Sequence, residues 1–210
     1  MKKTGMIIAL LILTSCSSTK FVESWRNKEV TSFEPSKILV VGMTNKLTAR
    51  KIFEEELTRE FSLRGINAIE STTIFNETFT DSKKSEEEID TMIKKVSDDG
   101  FDAILITALK GVDEKRNYGY GYYGMGYRWA RFGRYYHRYQ DIYYNPFYYD
   151  TYKVYHVETS IYNIKENEDK SLVWVGSLNI VDPQTITSTV KGYVANIIKQ
   201  LEREKLIDEP

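Results

Sequence analysis

Lys37-Ile38-Leu39-Val40-Val41-Gly42-Met43 is a short, unbroken apolar run rich in β-branched residues, the composition of a strand buried on both faces. The period then changes. Ala49, Phe53, Leu57 and Phe61 recur every four residues with Ile52 beside them, which predicts a helix over 47–64. Gly65 stands where a helix C-cap belongs. Ile66 to Ile69 reads as the next short strand. The pattern then repeats. Ser85-Glu86-Glu87-Glu88 is a capping box, in which Ser85 and Glu88 satisfy each other's free amides. Ile89, Met92, Ile93 and Val96 form the buried stripe of a second helix ended by Gly100, and Phe101 to Leu109 is a further buried strand. Two strand–helix–strand units in succession predict parallel pairing.

Past that point the pattern alternates. Tyr152 to Ile164 and Leu172 to Val181 read as two long strands joined by a turn at Lys165 to Lys170. Asp182-Pro183 reads as an N-cap with proline at the first helical position. A last helix over 185–204 then buries Ile186, Val190, Val194, Ile197, Ile198 and Leu201. The expected fold class is α/β (α+β): a single mixed sheet of about five strands, in the order β-α-β-α-β-β-β-α, with helices packed on it. The domain is expected over 37–204, with a Tyr/Gly-rich insertion at 112–150 and a tail at 205–210.

The amino terminus carries an address. Lys2 and Lys3 precede an apolar stretch from Met6 to Leu13, and Leu13-Thr14-Ser15-Cys16 closes it. That stretch is far shorter than the roughly 20 residues a membrane-spanning helix needs, so a cleaved signal is favoured over a permanent anchor. The order of basic, apolar and small residues ending at cysteine resembles a bacterial lipoprotein signal peptide with its lipobox. The resemblance implies cleavage after residue 15 and acyl chains on Cys16, and two or more such chains anchor stably. Ser17 follows Cys16, where an aspartate would resemble an inner-membrane retention signal; this implies an outer-membrane lipoprotein facing the periplasm. Cys16 is the only cysteine, so no disulfide or thiol chemistry remains for the domain. Residues 16–36 read as the acylated residue and a polar tether, with Trp25 packing back onto the domain.

Between Arg116 and Tyr149 lie 12 of the 16 tyrosines, five glycines, Trp129, Phe132 and Phe147, and Arg116, Arg128, Arg131, Arg134 and Arg138 against a single acid, Asp141. Three readings fit this composition: an excursion whose tyrosines partly cover the sheet edge, a docking surface for a partner, and a stacking platform for envelope glycan. Tyrosine and arginine dominate protein interfaces. The partner-binding candidates are Arg128, Trp129, Arg131, Arg134, Tyr135, Tyr136, Arg138 and Tyr143. Arg128, Arg131, Arg134 and Arg138 are spaced to share one side of a helix, a basic stripe suited to anionic lipid headgroups.

Evidence for catalysis is poor. Gly119-Tyr-Gly121-Tyr-Tyr-Gly124 has the letters of a dinucleotide-binding loop, but it lies beyond the strand in repetitive sequence with no helix pattern after it. Ser17-x-x-Lys20 and Ser188-x-x-Lys191 lack every accompanying hydrolase motif. His137 and His156 give no metal-ligand spacing. His156 and Glu158 share a strand face, where a structural cross-strand pair outweighs an acid–base pair. A formal net charge of −1, or −3 once Lys2 and Lys3 leave, points away from nucleic acid. No cofactor and no metal are expected.

Ser24-Trp25, Ile38-Leu39-Val40-Val41-Gly42, Gly100-Phe101-Asp102-Ala103-Ile104-Leu105, the Gly-Tyr insertion and Leu172-Val173-Trp174 together resemble a family of bacterial envelope lipoproteins of unassigned function. The element order is also similar to the periplasmic α/β domain of the TolB amino-terminal region, and to lipoproteins that activate cell-wall synthases or assist curli secretion. Both resemblances imply a binding or scaffold role for an envelope protein partner. Peptidoglycan or envelope-glycan binding is the alternative, and a hydrolase using His156 comes third.

Overall fold

The computed structural model describes residues 18–114, 132, 133, 135, 136, 140, 153–165, 172–183 and 185–210. One mixed sheet of six strands carries the fold: β1 (Thr19–Arg26), β2 (Ile38–Met43), β3 (Ala68–Glu70), β4 (Ala103–Glu114), β5 (Lys153–Asn163) and β6 (Leu172–Val181). Their order across the sheet is β1-β6-β5-β4-β2-β3. β2 pairs in parallel with both β3 and β4, whereas β4-β5-β6-β1 is antiparallel throughout. The helices are α1 (Leu47–Leu63), a one-turn α2 (Ser71–Ile74), α3 (Glu86–Asp98) and α4 (Ile186–Arg203). Residues 166–170 of the expected turn lie outside the described residues.

Two cores form, one on each sheet face. On one face, Phe53, Leu57 and Phe61 of α1 and Tyr193, Val194, Ile197, Ile198 and Leu201 of α4 pack over Ile38, Val40, Leu105 and Trp174. On the other, Ile89 and Val96 of α3 meet Leu39, Val41, Ile104 and Ile106. All six residues of β2 are buried, as a strand covered by helices on both sides must be. The capping box at α3 forms as the sequence predicts: Glu88 N–H donates to Ser85 Oγ and Ser85 N–H to the Glu88 carboxylate. Those bonds, with Lys84 nearby, hold the Glu88 carboxyl below the usual carboxylate range.

Four expectations are corrected. Residues 19–26 are not part of a tether but the sixth strand, β1, in register with β6 from Thr19↔Ile180 to Arg26↔Trp174. Ser24 Oγ donates to Glu204 Oε1, Arg26 Nη1 donates to Glu204 O at 2.6 Å, and Asn196 Nδ2 donates to Thr19 Oγ1 at 3.0 Å, so α4 holds this edge strand along its length. Residues 205–210 are not a free tail, because Leu206 and Ile207 are buried in the α1/α4 core. The N-cap of α4 is Thr185, whose hydroxyl accepts from Ser188 N–H. Asp182 instead turns the chain with a positive φ of 44°. Ile186 therefore sits in the first turn, ahead of the buried stripe, and is 43% exposed.

Gly176 in β6 is required by a close approach. A Cβ there would lie 2.2 Å from the Trp174 indole, which crosses it fully buried and donates from Nε1 to Glu204 Oε2 at 3.0 Å.

Candidate functional site

The expected site residues divide sharply. Arg128, Trp129, Arg131, Arg134, Arg138 and Tyr143 lie outside the described residues, as does Cys16. Tyr135 and Tyr136 are described, and they are 7% and 1% exposed. These two rings are therefore not part of an open docking surface; they belong to the α3-side core. The reason is their spacing. Phe132, Tyr135 and Tyr136 stand at i, i+3 and i+4, each described position from 132 to 140 is helical, and together they present one apolar stripe.

That stripe is fastened by rings. Phe75 stacks on Phe79 at 4.7 Å, Phe79 meets Tyr136 at 6.1 Å, and Phe132 meets Tyr162 of β5 edge-on at 5.6 Å. Such pairs contribute about 0.5–1.5 kcal/mol each beyond area burial. Gly133 lets the backbone come close to α3, since a Cβ there would stand 2.9 Å from Asp90 Oδ1. Gln140 closes the attachment with two bonds to one residue, accepting from Lys84 N–H at 2.9 Å and donating to Lys84 O at 3.0 Å. The apolar cleft between α3 and these rings has room for about one water-sized sphere, too little for a substrate.

Polar chemistry on this face runs along β5. The Tyr135 hydroxyl donates to Glu158 Oε1 at 2.9 Å, and Lys110 Nζ donates to the same oxygen at 3.0 Å while lying 5.1 Å from the Tyr135 ring centre. Burial pushes the Tyr135 phenol well above its ordinary range and the Glu158 carboxylate pushes the same way, so the phenol stays a donor. His156 is held on both sides: Nδ1 lies 2.7 Å from Asn179 Oδ1 on β6 and Nε2 lies 2.9 Å from Asp113 Oδ2 on β4. His156 and Glu158 thus have separate cross-strand partners, which is the structural arrangement and not an acid–base pair. Among the described residues, no group of three or more His, Cys, Asp or Glu side chains is placed to hold a metal ion.

A second polar cluster had no signal in the apolar pattern. Arg50 and Glu54, four apart on α1, are both 0% exposed and paired at 3.1 Å. Glu54 Oε1 also accepts from Ser71 Oγ at 2.6 Å and Gly42 N–H at 2.9 Å, while Oε2 accepts from Thr72 N–H at 3.0 Å. One carboxylate thereby ties the end of β2 to α1 and the start of α2. Fully enclosed, it is a joint in the fold and has no access to a substrate.

No protein-family model and no curated protein matches the chain, so the likeness to the TolB amino-terminal region rests on element order alone. Among solved structures, the PelC dodecamer from Paraburkholderia phytofirmans is similar over 87% of this chain and 95% of its own, at 10% identity and a TM-score of 0.42. Lipoprotein GNA1162 from Neisseria meningitidis is similar over 80% of this chain and 99% of its own, at 13% identity and a TM-score of 0.39. Likenesses at these scores carry no argument about what this chain does.

Proposed function

We propose that this chain is an outer-membrane-anchored, periplasm-facing lipoprotein whose α/β domain binds an envelope protein through its Tyr/Arg-rich insertion. The supporting observation is the way the insertion is attached. Phe132, Tyr135, Tyr136 and Gln140 are committed to the body of the domain. The arginines interleaved with them in sequence, Arg131, Arg134 and Arg138, remain the candidates for a partner, with Arg128, Trp129 and Tyr143. Cys16 supplies the anchor in this reading. Among the described residues, no helix is long and apolar enough to cross a membrane.

A hydrolase is disfavoured because both ring nitrogens of His156 are engaged by Asn179 and Asp113. The glycan reading loses two of its stacking faces with the burial of Tyr135 and Tyr136. The test places a photo-reactive side chain at Tyr143 in the acylated protein in cells. A protein adduct of defined mass, lost when Arg128, Arg131, Arg134 and Arg138 are changed to Ala, supports the reading. Binding to purified, protein-free sacculi with no protein adduct replaces it with the glycan alternative.

A further inference from the structure

Phe132, Tyr135, Tyr136 and Gln140 rest on a body whose sheet is built without them. Six strands pair in one sheet, and among the described residues none of those strands comes from 132–140. These four residues are held instead at two polar points. At one, Gln140 bonds both backbone groups of Lys84, the residue before the α3 N-cap Ser85. At the other, the Tyr135 hydroxyl donates to Glu158 Oε1 on β5. Between them, Phe132 and Tyr135 meet Tyr162 edge-on at 5.6 and 5.9 Å, and Tyr136 lies 6.1 Å from Phe79.

Neither polar point leaves a lone buried charge when it opens. Glu158 is already countered by Lys110 Nζ at 3.0 Å, with the two side chains 7% and 14% exposed. Departure of a neutral phenol therefore leaves an ion pair behind, which avoids the cost of an uncompensated carboxylate. Lys84 is half-buried, so water replaces Gln140 at its N–H and C=O. The Arg50–Glu54 joint is the contrast, since both of its charges are fully enclosed. The apolar contact between the two points is also incompletely filled. The cleft beside Phe132 and Tyr136 keeps room for about one water-sized sphere, and a void removes contacts from the side chains that line it.

We infer that the segment carrying Phe132, Tyr135, Tyr136 and Gln140 is a strap that docks on the α3 face and lifts from it as one unit. Its pins are Lys84 and Glu158, and the six-stranded body stays folded when it lifts. Lifting uncovers Tyr162 and the cleft wall of Phe79, Met92 and Ile93. Cooperative units of this kind open at a lower free energy than the whole domain. In the proposed function, a partner reached through the insertion then meets a domain with two states, strap down and strap up. That consequence rests on the proposed function; the strap itself does not.

The test is native-state hydrogen exchange of the full chain, read by mass spectrometry on peptides covering 132–140, α1 and α4, at urea concentrations below the unfolding transition. The expected result is protection of 132–140 that is weaker than that of α1 and α4 and nearly independent of urea, because lifting exposes little surface. Tyr135→Phe and Gln140→Ala each release one pin. They should speed exchange of 132–140 by roughly two- to tenfold per hydrogen bond removed, with α1 and α4 unchanged. Exchange of 132–140 at the rate of a free peptide in the unaltered chain overturns the docked state. One rate and one urea dependence for all three peptides overturns independent lifting, as does a variant that speeds all three alike or none.

Discussion

Changing either partner of the buried Arg50–Glu54 pair is expected to destabilise the domain, and by unequal amounts. Removing one member of a buried ion pair typically costs about 3–5 kcal/mol, because the other charge is left uncompensated. The geometry makes Glu54 the costlier loss. Its carboxylate serves four donors, Arg50 Nε, Ser71 Oγ, Gly42 N–H and Thr72 N–H. In Glu54→Gln one oxygen becomes an amide NH2. If that group takes the Oε2 position, Thr72 N–H faces a donor and the guanidinium charge stays buried without a counter-ion. The full 3–5 kcal/mol is expected. In Arg50→Met the carboxylate keeps its other three donors. That variant also removes Nη1, which is buried without an acceptor among the described residues. An unsatisfied buried donor costs about 1–3 kcal/mol, so its removal offsets part of the damage and a net loss of about 1–3 kcal/mol is expected. The assay is urea denaturation followed by far-ultraviolet circular dichroism, on Cys16→Ser chains purified without lipid. Equal losses, or a larger loss for Arg50→Met, would refute the claim that the carboxylate is the centre of this network.

Three further outcomes are expected. Gly176→Ala drives a methyl group into the fully buried Trp174 ring; overpacking of this kind costs about 1–3 kcal/mol, read as a lowered melting temperature with altered tryptophan fluorescence. Asp102 provides an acid-side signal. Burial raises its pKa, but bonds from Ser36 Oγ and from the Lys37 and Ser36 N–H groups, with Lys165 nearby, outweigh burial and hold it below the ordinary 3.8. Its stabilisation is therefore present above 3.8 and lost as pH falls through the lower folded value, and Asp102→Asn should unfold with a flatter pH dependence below pH 4. Tyr193 is the alkaline counterpart: burial raises its phenol and nearby Glu158 adds to this, although hydroxyls of Thr159 and Thr107 oppose them. Its stabilisation is full below the ordinary value of 10 and lost at higher pH, so Tyr193→Phe should not change the phenolate absorbance of the folded chain at pH 11.

Where a segment's side chains follow one period against one neighbour, the sequence alone determined it. β2 is apolar at nearly every position because helices cover both of its faces, and α3 announces itself by Ser85, Glu88 and a four-residue apolar stripe. The β5–β6 hairpin shows the alternation of strands with two unlike faces. Other features depended on partners far away in the chain. In β1, Thr19 and Phe21 face α4, and after the irregularity between Phe21 and Glu23 so do Ser24 and Arg26, so the period slips and the segment reads as a polar leader. Nothing in the period of α1 marks Arg50 and Glu54 as buried; Ser71 and Thr72, 17 and 18 residues beyond Glu54, close over its carboxylate. Phe132, Tyr135 and Tyr136 had the correct helical spacing, but so many aromatics surround them that the stripe did not stand out. Periodicity records only the environment that a residue's own element repeats. Contacts between distant elements leave no period, and it was those contacts that made the leader a strand and buried two expected binding residues.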